Sequence, residues 1–263
     1  MYHSKFHFII AVLFLCACTE KDSSITFETV TINKTVNLSN DSVPPKCNVN
    51  ITLERATEDS GRAGEIINSA IVRKLFNRED DEIEVAANAF VNEYTSNYIN
   101  TLLPLYNQDR NDSIKRIWYH YHYIINSRTQ KGCNGTLVYI ADINYREGGT
   151  HAVNEQISWN FDEKTGRQIT INDIFVDGFE EKLTPILLKA LMESVGVSSV
   201  WALRQEGYLK ASDMFVPENF ILGDETITFV FNPDEIAPSA IGPTELTISY
   251  TEIEDIMKLT FEH

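Results

Sequence analysis

Three histidines are the residues of this chain best suited to bind a metal or to move a proton. His120 and His122 lie two residues apart in an aromatic segment, so a β-strand would point both rings to the same face. With His151 they would supply the three nitrogen ligands of a zinc site. The spacing has low specificity, however, and histidines that alternate with tyrosines on a strand more often pack as amphipathic rings. We therefore predict no metal site.

The segment Gly148-Gly149-Thr150-His151 is the best candidate for a ligand-binding loop. His151 could act as a general base there, with Glu147, Glu155 or Asp142 as its partner. The sequence supplies no accompanying nucleophile motif, no metalloprotease helix motif and no glycine-rich phosphate or dinucleotide loop. The two glycines also explain a tight connection between strands, because glycine adopts positive φ at little cost. We expect a ligand loop without catalytic residues or cofactor.

The charge of the chain limits its partners. Its net charge is -16 and its sequence pI is near 4.7, and no cluster of lysines and arginines stands out. A nucleic-acid-binding surface would need such a basic cluster, so nucleic acid is not expected as a partner. An acidic surface would attract cationic partners, although many exported proteins are acidic for solubility alone. Pairs of carboxylates that act on polysaccharides stay open, because their pairing is spatial.

The N-terminus resembles an export signal with a lipid-attachment site. Lys5 precedes a short apolar run that ends in Leu15-Cys16-Ala17-Cys18, a tetrapeptide that resembles the bacterial lipoprotein box. In that case residues 1–17 are removed and Cys18 carries the lipid, which would anchor the protein to a membrane of the cell envelope, most simply the outer membrane. An ordinary secretory signal that is cleaved near Ala17 is the alternative.

Two further cysteines remain for the folded part of the chain. Cys47 and Cys133 would close a long loop if they formed a disulfide, which in the entropy model stabilises a protein by roughly 4 kcal/mol. Two separate buried thiols are an equal alternative, because the sequence does not show the distance between the two Cα atoms.

Hydrophobic periodicity predicts the elements that must position these residues. Residues 18–45 are polar and predict a tether, with one β-like patch at 27–36 and a terminal Pro44-Pro45. Alternation predicts a strand at 46–54, and apolar residues spaced three and four apart predict helices at 62–76 and from Asp80-Asp81 to Pro104, which should end or kink the second helix.

The rest of the chain is dominated by predicted strands. They fall at 115–125, 136–145, 155–161, 220–222, 226–231 and 245–250, with a helix inside 178–206 and a closing helix at 251–259. We predict an α+β fold in which antiparallel sheets carry helices on one side. Two lobes, 46–147 and 148–263, are expected to divide near Gly148-Gly149.

Three segments resemble the RsiV/PdaC-like extracytoplasmic domain family. They are Tyr145-Arg-Glu-Gly-Gly-Thr-His151, Asn160-Phe-Asp-Glu-Lys-Thr-Gly166 with Asp173-Ile-Phe175, and Phe229-Val-Phe-Asn-Pro-Asp-Glu-Ile-Ala-Pro238, followed by Gly242-Pro243. The family includes anti-sigma factors whose outer domain binds lysozyme, peptidoglycan deacetylases with a separate catalytic domain, and lipoproteins. The resemblance therefore implies a non-catalytic module, and the segments typical of the sigma-binding and deacetylase members are absent from this sequence.

The lipobox followed by acidic residues also resembles lipoproteins of the Bacteroides type. Asp41-Ser42-Val43 and Asp112-Ser113-Ile114 match the short O-glycosylation pattern of that group, which would place Ser42 and Ser113 on the surface.

The leading functional hypothesis is a lipid-anchored envelope module that recognises a lysozyme-like protein or peptidoglycan. Sugar rings would stack on exposed aromatic side chains, for which Trp118, Trp159 and Trp201 are the candidates, although buried tryptophan is the commoner state. A polysaccharide hydrolase with paired carboxylates and a structural lipoprotein are the alternatives.

Overall fold

The computed structural model describes residues 24–79, 82–133, 135–149 and 151–258. The strands are β1 Phe27–Asn37, β2 Lys46–Ala56, β3 Tyr121–Lys131, β4 Thr136–Glu147, β5 Val153–Asp162, β6 Gln168–Ile169, β7 Phe220–Leu222, β8 Thr226–Phe231 and β9 Thr244–Ser249. The helices are α1 Gly61–Phe76, α2 Ile83–Asp109, α3 Ile171–Ile174, α4 Glu180–Val195, α5 Val200–Gln205 and α6 Tyr250–Ile253, with short 3-10 helices at Glu58–Ser60, Lys115–Tyr119 and Glu254–Ile256. Within the described ranges, no helix is both long and apolar enough to cross a membrane.

The strands form two sheets, which confirms the α+β class. One sheet has six strands in the order β1-β2-β3-β4-β5-β6, and the other has three in the order β7-β8-β9. Every neighbouring pair is antiparallel except β2 and β3, which are parallel. The prediction of purely antiparallel pairing was therefore wrong at this point. The chain passes through α1 and α2 between these strands, and such a long crossover is what a parallel pair needs.

The two long N-terminal helices cover one face of the six-stranded sheet. Cys47, Val49, Ile51 and Leu53 alternate along β2 and are fully buried against Ile67 and Ile71 of α1 and against α2. The intervening residues, such as Asn48 and Asn50, are exposed on the opposite face. Period-two alternation on the strand and a helical stripe above it thus produce a half-buried β2, as predicted.

The boundary between the lobes lies later in the chain than predicted. Gly148 and Gly149 form the turn of the β4–β5 hairpin, and β5 and β6 continue the first sheet as far as Ile169. The second lobe begins at α3, where Leu183, Leu187 and Leu191 of α4 pack with buried residues of β7, β8 and β9. The predicted division at 147–148 was wrong because a local turn signal does not reveal whether the next strand stays in the same sheet.

Part of the predicted tether belongs to the first lobe. β1 pairs with β2 in an unbroken antiparallel ladder from Phe27–Ala56 to Asn37–Lys46, and Leu38 and Pro45 close the hairpin through a 2.9 Å backbone hydrogen bond. The predicted tether 18–45 was therefore wrong for residues 27–45, because the β-like patch pairs with β2. Residues 18–23 lie outside the described residues.

Two further elements differ from the sequence prediction. Pro104 lies inside α2, which continues to Asp109, although its predicted start at Asp80-Asp81 lies outside the described residues. Lys115–Tyr119 is a 3-10 helix, and the strand begins only at Tyr121. The Asp112 carboxylate accepts hydrogen bonds from the backbone N–H groups of Ile114 and Lys115, which holds this segment in a turn.

Candidate functional site

The candidate ligand loop lies against the 3-10 helix that carries Trp118. Gly148 and Gly149 both have positive φ, at 79° and 71°. A Cβ atom on Gly148 would lie 3.2 Å from the carbonyl oxygen of Trp118, so a side chain here would press on that backbone oxygen and would also strain the positive φ. The approach follows from the sheet register, which pairs Tyr121 at the start of β3 with Glu147 at the end of β4.

The 3-10 helix is fixed to the C-terminal end of α2. The Tyr98 hydroxyl donates to the Tyr119 carbonyl oxygen at 2.8 Å, and the Tyr119 hydroxyl donates to Asp109 at 2.7 Å. Lys115 forms a 2.7 Å ion pair with the same aspartate. The Lys115 ammonium and the Tyr119 hydroxyl lower the pKa of Asp109, while burial and this carboxylate raise the pKa of Tyr119 to about 12. These bonds hold the neighbouring Trp118 on a fixed support.

Three large apolar side chains on this segment face solvent. Ile114 is 79% exposed, Ile117 is 51% exposed and Trp118 is 48% exposed. Of these three, the sequence predicts only the tryptophan as a candidate contact, since an isoleucine in an aromatic segment is more often a core residue. Tyr119, by contrast, is buried against Tyr106, with ring centroids 5.2 Å apart. We call Ile114, Ile117, Trp118 and the loop residues Gly148 and Gly149 the Trp118 surface.

The other two tryptophans have different environments. Trp159 of β5 is only 4% exposed, and its ring packs 5.8 Å from that of Tyr139 in the core of the first lobe. Trp201 is 72% exposed, on the short helix α5 of the second lobe. The candidate residues thus separate into one buried core residue and two exposed ones, of which only Trp118 adjoins the candidate loop.

Both predicted O-glycosylation serines are exposed, at the same end of the first lobe. Ser42 lies in the β1–β2 connection and Ser113 directly follows α2. Asp41, next to Ser42, accepts a 2.7 Å hydrogen bond from the hydroxyl of Tyr106 on the last turn of α2 and forms an ion pair with Arg110, which directly follows that helix. The Arg110 guanidinium lowers the pKa of Asp41 to about 2. O-glycosylation of Ser42 and Ser113 stays a prediction.

A cluster of tyrosines and carboxylates lies behind the candidate loop. Tyr123 and Tyr145 stack with ring centroids 5.6 Å apart, and the Tyr145 hydroxyl donates to Glu155 at 3.2 Å. Burial raises the pKa of Tyr123 to about 12. The carboxylate of Glu147 adds to burial in raising the pKa of Tyr94. These tyrosines therefore stay protonated and neutral at physiological pH.

The structure brings one carboxylate of the second lobe toward this cluster. Glu235 accepts a 2.7 Å hydrogen bond from the backbone N–H of Asn232. Burial, and to a smaller extent the negative charge of Glu155, raise the pKa of Glu235. A carboxylate that interacts with a second one is what the hydrolase alternative requires, but Glu235 also holds the turn that contains it.

The histidines have separate partners. Nδ1 of His120 lies 3.4 Å from the backbone nitrogen of Lys46, and Nε2 of His122 lies 2.7 Å from Oδ1 of Asn144. Burial and the positive charge of Arg146 lower the pKa of His120. His151 lies in the β4–β5 turn beyond Thr150, a residue outside the described ranges. In the part of the chain that the structure describes, no group of three or more His, Cys, Asp or Glu side chains is arranged to hold a metal ion.

The cysteines do not form the disulfide that was one of the two predictions. Cys47 and Cys133 are free and buried, the first in the core of the first lobe and the second in the core of the other. Burial raises the pKa of Cys47 to about 11, so it stays a protonated thiol. Cys18, the predicted lipidation site, lies outside the described residues together with the predicted signal sequence 1–17, and its lipidation stays a prediction.

The second lobe is similar to a known protein family. Residues 172–251 match the model of DUF3298, a protein family of unknown function. These residues run from α3 into α6, so the matched region corresponds to the second lobe as the sheets define it. The RsiV/PdaC resemblance stays a prediction.

Two solved structures resemble most of the chain. A crystal structure of a DUF3298-family member from Bacteroides fragilis has a TM-score of 0.81 and 28% identity, and the match covers 91% of this chain and 96% of that one. A DUF3298-family protein from Pseudomonas aeruginosa has a TM-score of 0.58 and 15% identity over 89% of this chain and 95% of its own, which shows the fold alone. Both lobes therefore recur together. No curated protein matches the chain.

Proposed function

We propose that this chain is a non-catalytic binding module of the cell envelope that recognises glycan at the Trp118 surface. The observation that carries the proposal is the half-exposed ring of Trp118, held on a fixed 3-10 helix directly against the Gly148-Gly149 turn. Burial of an indole ring stabilises a protein strongly, so a tryptophan that contributes to folding is usually buried. An indole that stays exposed beside a loop is more consistent with ligand binding.

The chemistry of this surface fits a sugar. A pyranose has an apolar face of C–H groups that packs on an indole, and hydroxyl or acetamido groups that bond to polar neighbours. Glu147 at the end of β4 and the backbone of the glycine turn supply polar groups beside the segment that carries Trp118, whose carbonyl oxygen Gly148 approaches. Because Tyr98 and Asp109 hold the 3-10 helix that carries Trp118, little backbone entropy would be lost on binding.

Envelope localisation is part of the proposal and depends on the predicted lipid at Cys18. A lipid-anchored module that faces the cell wall meets peptidoglycan as its most abundant glycan, which makes peptidoglycan the ligand to test first. Cosedimentation of the purified mature chain with insoluble peptidoglycan tests this directly. We expect retention that persists at high salt, because stacking on a neutral sugar is not screened by ions. A chain that stays in the supernatant at every salt concentration would refute glycan recognition.

A cationic protein such as a lysozyme is the second candidate. The net charge of -16 and the carboxylates Glu147 and Glu155 near the loop favour a basic partner. Charge alone produces weak binding at low ionic strength, so the discriminating measurement is affinity for a C-type lysozyme across a salt series. Affinity that persists at physiological salt supports lysozyme as the partner, and its loss by about 0.15 M salt rejects it.

Hydrolysis of envelope polysaccharide stays the alternative from the enzyme class. Glu155 and Glu235 are the residues that would carry it, because the charge of one raises the pKa of the other. Release of new reducing ends from peptidoglycan by the native chain, abolished by both Glu155→Gln and Glu235→Gln, would replace the binding proposal with catalysis.

A further inference from the structure

β1 forms a long free edge of the six-stranded sheet. It extends over 11 residues, and β2 is its neighbour on one side. Among the described residues, none pairs with the other side of this strand. The side chains of Thr29, Thr31, Asn33 and Thr35 are exposed along it.

The register shows which backbone groups this edge presents. The Thr57 N–H donates to the Thr26 carbonyl, and the Leu38 N–H donates to the Pro45 carbonyl, both at 2.9 Å. These bonds lie at the two ends of the β1–β2 ladder and both use even-numbered residues of the first strand. Since hydrogen-bonded positions alternate in an antiparallel pair, the odd-numbered residues point their N–H and C=O groups outward. Thr29, Thr31, Asn33 and Thr35 therefore offer unpaired backbone donors and acceptors.

The edge lacks most of the features by which proteins block strand addition. Its ladder with β2 contains no bulge and its sequence contains no proline. Lys34 is the single cation, and it donates to the neutral amide of Asn92 at 2.7 Å. Long, regular edges of this kind usually pair with another strand.

We infer that β1 is the interface of a symmetric dimer, in which it pairs antiparallel with β1 of a second copy. One register matches the side chains. With Thr31 on the two-fold axis, Val30 lies opposite Ile32 of the second copy and Glu28 lies opposite its Lys34. Both pairs then occupy non-hydrogen-bonded positions, where cross-strand side chains are closest.

Neighbouring registers lose this complementarity. Moving the axis to Ile32 places Lys34 opposite Val30 and Glu28 opposite Val36, and moving it to Val30 places Glu28 opposite Ile32. Val30 and Ile32 lie on the helix-covered face in all three registers, and only the central register satisfies charge and apolar pairing together. The two-fold symmetry makes each pair occur twice, as an isologous interface requires.

Cross-linking of the full chain in the bacterial envelope tests the interface and its register. Thr31→Cys would lie opposite its own copy, with Cα atoms within disulfide range, whereas Thr35→Cys would lie many residues from its copy. We expect oxidation to yield at least about tenfold more dimer from Thr31→Cys than from Thr35→Cys. Equal yields from the two variants would overturn the proposal, and so would capture of the thiol of Thr31→Cys by another protein in place of a second copy.

A charge swap in the Thr31→Cys background tests the register independently. Glu28→Lys and Lys34→Glu would each place like charges opposite one another twice, and each should lower the dimer yield by about three- to tenfold. The double variant restores opposite charges and should restore the yield. Because Glu28 also forms an ion pair with Arg55 and Lys34 also bonds to Asn92, melting curves of each variant verify that the fold is kept. A double variant no better than the single ones would overturn the assigned register.

Discussion

The buried side-chain amide of Asn160 donates a 2.7 Å hydrogen bond to the carbonyl oxygen of Phe220 and so connects the last long strand of the first lobe to the first strand of the second. Its Oδ1 atom accepts from the Leu222 N–H at 2.9 Å. Asn219 forms the reciprocal bonds from the second lobe to β5. Its Oδ1 atom accepts from the Ser158 N–H at 2.9 Å, and its Nδ2 atom donates to the Gln156 carbonyl oxygen at 2.7 Å. Side-chain amides thus supply hydrogen-bond partners for backbone N–H and C=O groups that no neighbouring strand pairs.

Removal of the Asn160 amide should weaken the fold at the junction of the lobes. Asn160→Ala leaves the buried Leu222 N–H without its acceptor, whereas Phe220 keeps a bond from Ser158. We expect a loss of about 1–3 kcal/mol in urea unfolding and faster amide exchange at Leu222. Asn48→Ala, on the exposed face, is the control and should change stability by less than about 0.5 kcal/mol. Equal losses in both variants would show that the amide does not join the lobes.

Substitutions at two glycines with the same backbone conformation distinguish the cost of backbone strain from the cost of steric overlap. Gly166 and Gly135 have φ of 70° and 72°. A Cβ atom on Gly166 would lie 2.3 Å from the Ala63 carbonyl oxygen, whereas one on Gly135 meets nothing within 4 Å. Gly135→Ala should cost about 1–2 kcal/mol, and Gly166→Ala about 2–5 kcal/mol in equilibrium unfolding. Equal costs would mean that the 162–166 turn does not pack on α1.

The pH dependence of stability should report the ion pair at the end of α2. The pKa of Asp41 is about 2 in the fold, below its ordinary 3.8, so this group stabilises the protein above about pH 4 and loses that effect as the pH falls toward 2. Asp41→Asn should lower the melting temperature at pH 7, with the difference closing near pH 2. Asp213→Asn, whose carboxylate is exposed and 3.7 Å from Arg204, should change little. A difference that stays constant with pH would contradict the ion-pair explanation.

The contribution of Glu235 to folding stability should depend on pH in the opposite direction. Its pKa is raised by burial and by Glu155, so its stabilising contribution is complete below the ordinary value of 4.5 and is lost as the pH rises through the folded value. Glu235→Gln keeps an acceptor for the Asn232 N–H but carries no charge. Calorimetry should show a melting temperature about 1–3 °C higher than that of the native chain at pH 7 and unchanged at pH 4. A lower melting temperature at pH 7 would show that the charged form is favoured in the fold.

The sequence predicts the elements whose patterns are local. Alternation in Lys46–Ala56 and the helical spacing of Gly61–Phe76 reflect burial of one face, and Gly148-Gly149 has the chemistry of a tight turn. Parallel pairing of β2 with β3 and the continuation of the first sheet through β5 depend on partners far along the chain. The segment Lys115–Tyr119 has the composition of a strand, but the carboxylate of Asp112 bonds its backbone into a turn.

The same contrast between local sequence patterns and long-range contacts applies to the candidate site. The loop and the tryptophans were visible as residue types, whereas the approach of Gly148 to Trp118 depends on the β3–β4 register. The bond from Tyr98 to the Tyr119 carbonyl, which fixes the tryptophan, joins residues 21 positions apart and leaves no local pattern.

Titration of a soluble disaccharide-peptide fragment of peptidoglycan into two tryptophan variants tests the central claim most directly. Trp118 and Trp201 are both exposed, but only Trp118 adjoins the glycine turn, so Trp201→Ala is the matched control. We expect calorimetry to show binding to the native chain, an affinity at least about tenfold lower for Trp118→Ala, and an affinity within about twofold of native for Trp201→Ala. Absence of binding to the native chain, or equal affinities for the two variants, would contradict glycan recognition at the Trp118 surface.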